Sequence, residues 1–415
     1  MKKRVLFSAI VGNALEWYDY LLYAYFTEIF ATLFFPTNDK YLSTMISFAA
    51  FAVGFIARPL GGVIFGYIGD RFGRKTSLTT SIILIAVPTT IIGFLPTYHQ
   101  IGVLAPILLI MMRILQGISL GGEFSASSTF LVESAPKNRQ GFYGSFSTAS
   151  IAIGMIVASS VVVALHKYFT AEQIESFAWR IPFVASIFIG IIGIYLRSHL
   201  EESDAFKKAK SQHKLIKRPL KTIITKHRGS FFISCGIFMS ITIPIYSFVV
   251  FSKTIMNSFN YDPIEIEKFH TVILLAFMFS TPFFGYLADI LNPKHILMPS
   301  AALIAVFTPF LLVALIEGNQ INLWLVFIIG GILLGTFQGM MPKIIVNNFP
   351  IEVRSSGVGL SYSFTAALFG GTAPMILTFL IKNFGLFSMF YYVLFGSFFS
   401  IIALIFWSRK QNLSK

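Results

Sequence analysis

Twelve apolar runs of about twenty residues or more divide this chain, at about 8–34, 42–68, 77–95, 102–131, 143–165, 179–197, 229–252, 269–288, 296–316, 323–346, 356–380 and 387–407. Wound as an α-helix, a run of that length crosses a hydrocarbon core of roughly 30 Å. Inside a bilayer every backbone N–H and C=O must find a partner within the protein, so only helices and closed barrels span it. The alternation that barrel strands require is missing. Gly, Pro, Ser and Thr sit within the runs, as in helices packed against other membrane helices. The expected fold is an all-α polytopic membrane protein with twelve transmembrane helices. Composition agrees, with 55% apolar and only 12% charged residues, where soluble domains carry about 25% charged.

A net charge of +14 would suit nucleic acid if the bases were clustered on a soluble face. They are instead sorted by side of the membrane. With Lys2, Lys3 and Arg4 in the cytoplasm, Arg71, Arg74, Lys75, Lys137, Arg139, the 198–228 stretch, Lys294, Lys343, Arg354, Arg409, Lys410 and Lys415 also fall inside. Only Lys40, Lys167, Arg180, Lys253, Lys268 and Lys382 fall outside. The positive-inside rule thus predicts two cytoplasmic termini and no nucleic-acid partner. The same bases are suited to anionic lipid of the inner leaflet. The first span lacks a small-residue cleavage site and is expected to be retained. A single cysteine, Cys235, excludes an internal disulfide or a cysteine-based metal site; no cofactor and no metal is expected.

Six runs precede the polar stretch 198–228 and six follow it, predicting bundles at 1–197 and 229–415 joined by a cytoplasmic linker. The halves echo one another. GYIGDRFGRK at 66–75 returns in degraded form as GYLADILNPK at 285–294, an offset of 219 residues. APKNRQGFYGS at 135–145 returns as FPIEVRSSGVG at 349–359, with Gly141 and Gly357 offset by 216. Six plus six helices related by a repeat place a substrate near the midplane between the halves.

These residues carry a family resemblance. GYIGDRFGRK resembles the loop signature G-x-x-x-D-R-x-G-R-[RK] of the major facilitator superfamily, and Arg113-Ile-Leu-Gln116-Gly117 its R-x-x-Q-G signature. GNALEWYDYLLY (12–23), ARPLGGVIFGYIGDRFGRK (57–75), LQGISLGGEF (115–124), WRIPF (179–183) and ALFGGTAP (367–374) are similar to the metabolite:proton symporter subfamily, and GNALEWYDY with IGVLAPILL (101–109) to its proline/betaine branch. The resemblance covers essentially the whole chain. It implies a monomeric transporter of the bacterial inner membrane moving a small-molecule solute with a proton. Proline or glycine betaine is favoured, and α-ketoglutarate, citrate or shikimate is the alternative. It also implies that the 66–75 loop, through Gly66, Asp70, Arg71, Gly73, Arg74 and Lys75, latches the cytoplasmic side against the eleventh helix. The second copy keeps Gly285, Asp289 and Lys294 but has Ile290, Asn292 and Pro293 where the arginines and glycine stand. A weaker second latch is therefore expected. Osmosensing members carry a long C-terminal coiled coil, absent up to Lys415.

A charge at the bilayer centre costs several kcal/mol, so each is a functional candidate. Glu16, Asp19, Arg58, Arg113 and Glu123 lie within the runs of the first half; the second half offers Gln338, Asn347, Asn348 and Tyr362 at such depth. Glu16, Asp19, Tyr20 and Tyr23 share a helix face, and Asp19 and Arg113 both come to rest near mid-membrane. An Asp19–Arg113 pair that exchanges its partner for a proton or a substrate carboxylate is expected; a permanent structural pair is the alternative. No histidine lies deep in a run, so the proton carrier is expected among Asp19, Glu16 and Glu123. Glu123 shares a face with Gln116 and is as suited to bracing helix packing. Arg58 and Arg113 are the anion hooks. Trp17, Tyr20, Tyr23, Tyr246 and Tyr362 offer aromatic faces to a quaternary ammonium. Paired histidines, a nucleophile elbow and a phosphate-binding glycine loop are missing, which argues against an enzyme. The fifth run has no glycine-proline motif of the kind frequent in exporters, which argues against export; an exchanger of the same fold stays an alternative.

Overall fold

The computed structural model describes residues 3–413; the basic side chains of Lys2, Lys3, Arg4 and Lys415 lie outside the described residues. Twelve long helices follow in order: α1 (Lys3–Tyr25), α2 (Lys40–Arg71), α3 (Arg74–Phe94), α4 (Leu104–Ser134), α5 (Gln140–Tyr168), α6 (Arg180–Ser198), α7 (Arg228–Ser258), α8 (Pro263–Ile290), α9 (Lys294–Glu317), α10 (Gln320–Asn348), α11 (Ile351–Phe384) and α12 (Ser388–Leu413). Among the described residues, the eleven from α2 to α12 are long and apolar enough to cross a membrane by length and composition. The exception, α1, is interrupted by Asn13, Glu16 and Asp19, which are buried against neighbouring helices rather than turned outward. The outward surface carries apolar side chains such as Ile56, Leu60, Phe310 and Phe379.

Within each six-helix half the helices pack on one another (α2 on α4, α3 on α6, α8 on α10, α7 on α12), and the halves meet where α2 lies along α11 and α5 along α8. Glycine makes these seams possible. A Cβ at Gly66 would stand 2.5 Å from the Ser356 Cα, and one at Gly62 2.6 Å from the Gly359 carbonyl oxygen, so no side chain fits between α2 and α11 there.

The first run, expected as one helix over 8–34, breaks at Phe26 and resumes as a separate turn over Thr27–Phe34. The Thr27 hydroxyl donates to the Tyr23 and Ala24 carbonyls and so holds the break. The seventh and eleventh helices widen into π segments at Tyr246–Phe251 and Ala366–Gly371. Pro244 and Pro374, which lack an N–H, flank them and interrupt the i→i−4 ladder. These two segments face each other: the Gly370 backbone lies against Tyr246, and Gly371 against Phe55 of α2. The 198–228 linker folds two short helices, Asp204–Ser211 and Pro219–Lys226, on the face that also carries the 66–75 turn; this is called the linker face below.

Candidate functional site

A narrow cavity of about 40 Å³, room for roughly two or three waters, lies between the halves. Its lining brings together Trp17, Arg58 and Phe124 from the first half with Tyr246, Gln338 and Tyr362 from the second. Arg58 is buried under aromatic rings, its guanidinium carbon 4.5 Å from the Phe55 centroid, 5.3 Å from Tyr20 and 5.5 Å from Trp17. The phenols of Tyr246 and Tyr362 face it, yet its Nε and Nη2 have no protein acceptor. Gln338 Oε1 is likewise buried without a partner. Among the described residues, no acid lines the cavity. The arrangement is an unpaired guanidinium in an aromatic cage, suited to gripping an anion.

Arg113, Gln116, Tyr20 and Tyr23, expected at the substrate, do not line this cavity. The Arg113 guanidinium stacks 4.6 Å from the Tyr20 centroid, 4.4 Å from Tyr23 and 5.0 Å from Phe51. Tyr20 thus stands between Arg113 and Arg58. Nor does Arg113 pair with Asp19. Residues 19 and 20 diverge by about 100° around a helix, so Tyr20 covers Arg113 while Asp19 turns toward α6, where the Ser186 hydroxyl donates to its Oδ1 at 2.5 Å. The link to Arg113 is indirect. Arg113 Nη1 donates to Gln116 Oε1 at 2.7 Å, and Gln116 Nε2 to the Thr89 hydroxyl at 2.6 Å. Thr89 in turn faces Asp19.

A second buried charge cluster lies toward the linker face. Arg197, on the last turn of α6, grips Glu123 of α4 with both Nη atoms, and Ser81 also donates to Glu123. Glu16 faces this pair with its Oε1 unpartnered. Gly12 admits the arginine, because any Cβ there would collide with the guanidinium. Among the three expected proton carriers, Glu123 is thus the one held in an ion pair. Arg197 was hidden from sequence reasoning because it closes an apolar run and borders the basic linker.

The 66–75 turn works as a cap. Asp70, buried, accepts from the backbone N–H groups of Ser355 and Ser356 at 2.9 Å each, at the start of α11. A carboxylate placed there meets orphan donors and the positive end of the helix dipole. Arg74 lies 3.3 Å from Asp70 and 3.1 Å from Glu133, which also holds Arg354 at 3.1 Å. Gly73 has φ 117°, a conformation that favours glycine. Lys75 ties the turn to the linker through the Ser198 carbonyl, at 2.7 Å. Arg71 lies outside this network and rests on the Tyr67 hydroxyl.

The degraded copy caps just as closely. Asp289 accepts from Gly141 N at 2.8 Å and Phe142 N at 2.9 Å at the start of α5. The expected weakness is not in the cap itself; it lies in the surroundings, where one partly exposed Lys343 at 2.8 Å replaces the Arg74–Glu133–Arg354 group.

Comparison with known proteins gives the same architecture. Residues 5–230 match the family model for "Sugar (and other) transporter" and residues 230–415 that for "Major Facilitator Superfamily". The inner membrane metabolite transport protein YhjE of Escherichia coli K12 is 33% identical over 100% of this chain and 96% of its own length. A putative proline/betaine transporter of Staphylococcus aureus (strain COL) is 33% identical over 92% of this chain and 83% of its own. Among solved structures, the proton:xylose symporter XylE bound to 6-bromo-6-deoxy-D-glucose superposes with a TM-score of 0.77 at 17% identity, over 97% of this chain and 94% of that one.

Proposed function

The chain belongs to the major facilitator superfamily of membrane transporters, and from that premise we propose that it imports a small solute bearing a single carboxylate together with a proton. One observation carries the reading: Arg58 presents an unpaired guanidinium to an inter-half cavity that contains no acid. A carboxylate there gains a charge-assisted partner with bidentate geometry and supplies the direct ionic contact that the buried guanidinium lacks. With Arg113 engaged by Gln116 and tyrosine rings, the cavity offers one such partner, which suits a monocarboxylate better than a di- or tricarboxylate. Trp17, Tyr246, Tyr362 and Phe124 add π faces for the alkylated ammonium of a betaine or the ring of proline. The name given to the Staphylococcus aureus relative agrees with that choice.

Asp19 is our proton carrier. It is buried, lacks an ionic partner among the described residues, and is faced by hydroxyls from α6 and α3. A carboxylate so placed is costly as an anion, and taking up a proton removes that cost. Protonation turns the charge-assisted Ser186 contact into a weaker neutral one and thereby couples the proton to the α1–α6 packing.

Uptake into proteoliposomes should require an inward proton gradient for proline or glycine betaine. Asp19→Asn should lose accumulation but retain counterflow with preloaded solute. Accumulation indifferent to both gradient and substitution overturns the coupling; thermal stabilisation by citrate or α-ketoglutarate alone overturns the substrate class.

A further inference from the structure

The linker helix Pro219–Lys226 lies across the seam between the halves, packed on α2, α7 and α11. Beneath it opens a cleft of about 490 Å³ that none of the transport chemistry uses. One wall is apolar, with Val63, Ile64 and Ile68 from α2 and Leu360 from α11; the rim carries Lys217, Arg218 and Lys221. No acid lines the cleft, and none of the three cations has an acidic partner among the described residues. Ser356, only 3% exposed, borders the cleft beside Asp70. The apolar wall runs on into the outward belt of α2 at Leu60 and Ile56. The cleft therefore joins hydrocarbon depth to a cationic rim.

We propose that this cleft binds an anionic phospholipid of the leaflet on the linker face. Its phosphate meets Lys217, Arg218 and Lys221, and an acyl chain lies along Val63, Ile64 and Leu360. Juxtamembrane cations attract anionic headgroups additively, and three unpaired cations around one site match one phosphate. An acidic peptide would satisfy the rim but not the wall. The site also has a consequence for the cycle: Ser356 is one of the two residues whose N–H groups Asp70 caps. A lipid bridging α2, the linker helix and α11 therefore favours the state in which that seam is closed.

The test is native mass spectrometry of the purified full chain titrated with phosphatidylglycerol or with phosphatidylethanolamine. Phosphatidylglycerol should bind more tightly. Each cation removed should weaken binding by about fivefold, so Lys217→Gln/Arg218→Gln/Lys221→Gln should lose on the order of a hundredfold. The control Lys207→Gln/Lys208→Gln/Lys210→Gln, equal in charge but on the other linker helix, should bind as the parent does. Leu360→Trp, which fills the cleft and leaves the rim intact, should also abolish binding. Equal affinity for the two lipids, or equal losses in both triple variants, overturns the site. Displacement by glycerol phosphate, which lacks acyl chains, reduces it to a phosphate site and overturns the lipid assignment.

Discussion

Asp289→Ala should open the linker face as much as Asp70→Ala does, although only Asp70 sits in an intact motif. Each carboxylate caps two backbone N–H groups at 2.8–2.9 Å. Hydrogen bonds to a charged group contribute about 1.5–3 kcal/mol each, and the helix dipole adds about 0.3–1. Water recovers part of this once the seam parts, leaving about 2–4 kcal/mol per cap in favour of closure, or roughly 30- to 1,000-fold in the open population. Neither substitution strands a charge. Without Asp70, Arg74 keeps Glu133 and the Gly69 and Ile351 carbonyls. Without Asp289, Lys343 keeps the Ala288 carbonyl and contact with water. The two losses therefore compare the caps alone. Thr242 lines the cavity. In a Cys235→Ser background, Thr242→Cys reports opening through its alkylation by an impermeant maleimide applied at the linker face, which is cytoplasmic in our reading. Both alanine variants should raise that rate by similar factors. A rise in Asp70→Ala with no change in Asp289→Ala would refute the equivalence and restore the weaker second latch that the decayed motif suggests.

Three further outcomes follow from the same geometry. Arg197→Met removes the cation paired with buried Glu123 and facing Glu16, and should destabilise the protein by about 3–5 kcal/mol; adding Glu123→Gln should recover much of the loss in a detergent thermal-unfolding assay. Arg58→Gln should weaken binding of the transported solute by roughly 30-fold or more, as loss of a charge-assisted contact does, while leaving the empty protein's melting temperature equal or higher because an unpaired buried charge is gone. Gly66→Val should wedge α2 away from α11, since Ser356 occupies the space a side chain needs; counterflow should fail even though the protein folds.

The twelve runs translate into twelve helices because in lipid the backbone has no alternative, and run length alone carries that information. The repeat placed the seams. Less was legible in the site. Glu16, Asp19, Arg58, Arg113 and Glu123 stood out as charges within apolar runs, and all five are buried. Their partners did not follow, because a side chain's direction around a helix decides whom it meets. Asp19 and Tyr20 are neighbours in sequence yet serve Ser186 and Arg113. Arg197, Glu133 and Arg354 were missed for another reason: each lies at a helix end, where sequence cannot separate a buried ion from a solvated one. The π segments did leave a trace, in Pro244 and in Gly370, Gly371 and Pro374.

What the second copy of the turn retains explains why its cap survives. Closing one face requires two things of each half: a backbone that lets the partner helix approach, and an anion to meet that helix's free N–H groups. Gly285 and Asp289 meet both needs, with Gly285 lying against Ser145 as Gly66 lies against Ser356. Of the lost positions, Pro293 stands where Arg74 ties the first turn to Glu133 and the Ile351 carbonyl, Asn292 where Gly73 turns, and Ile290 where Arg71 lies outside that network; Lys294 keeps the place of Lys75. In the binding site proposed above, Arg58 is the one cationic wall, and the phenols of Tyr246 and Tyr362 and the amide of Gln338 stand opposite. The two seams thus have matched caps, while the buried ion pairs are concentrated at the first. Asp19→Asn should then abolish coupling without loosening either cap, whereas loss of either cap should loosen the seam without changing the proton requirement of whatever transport remains.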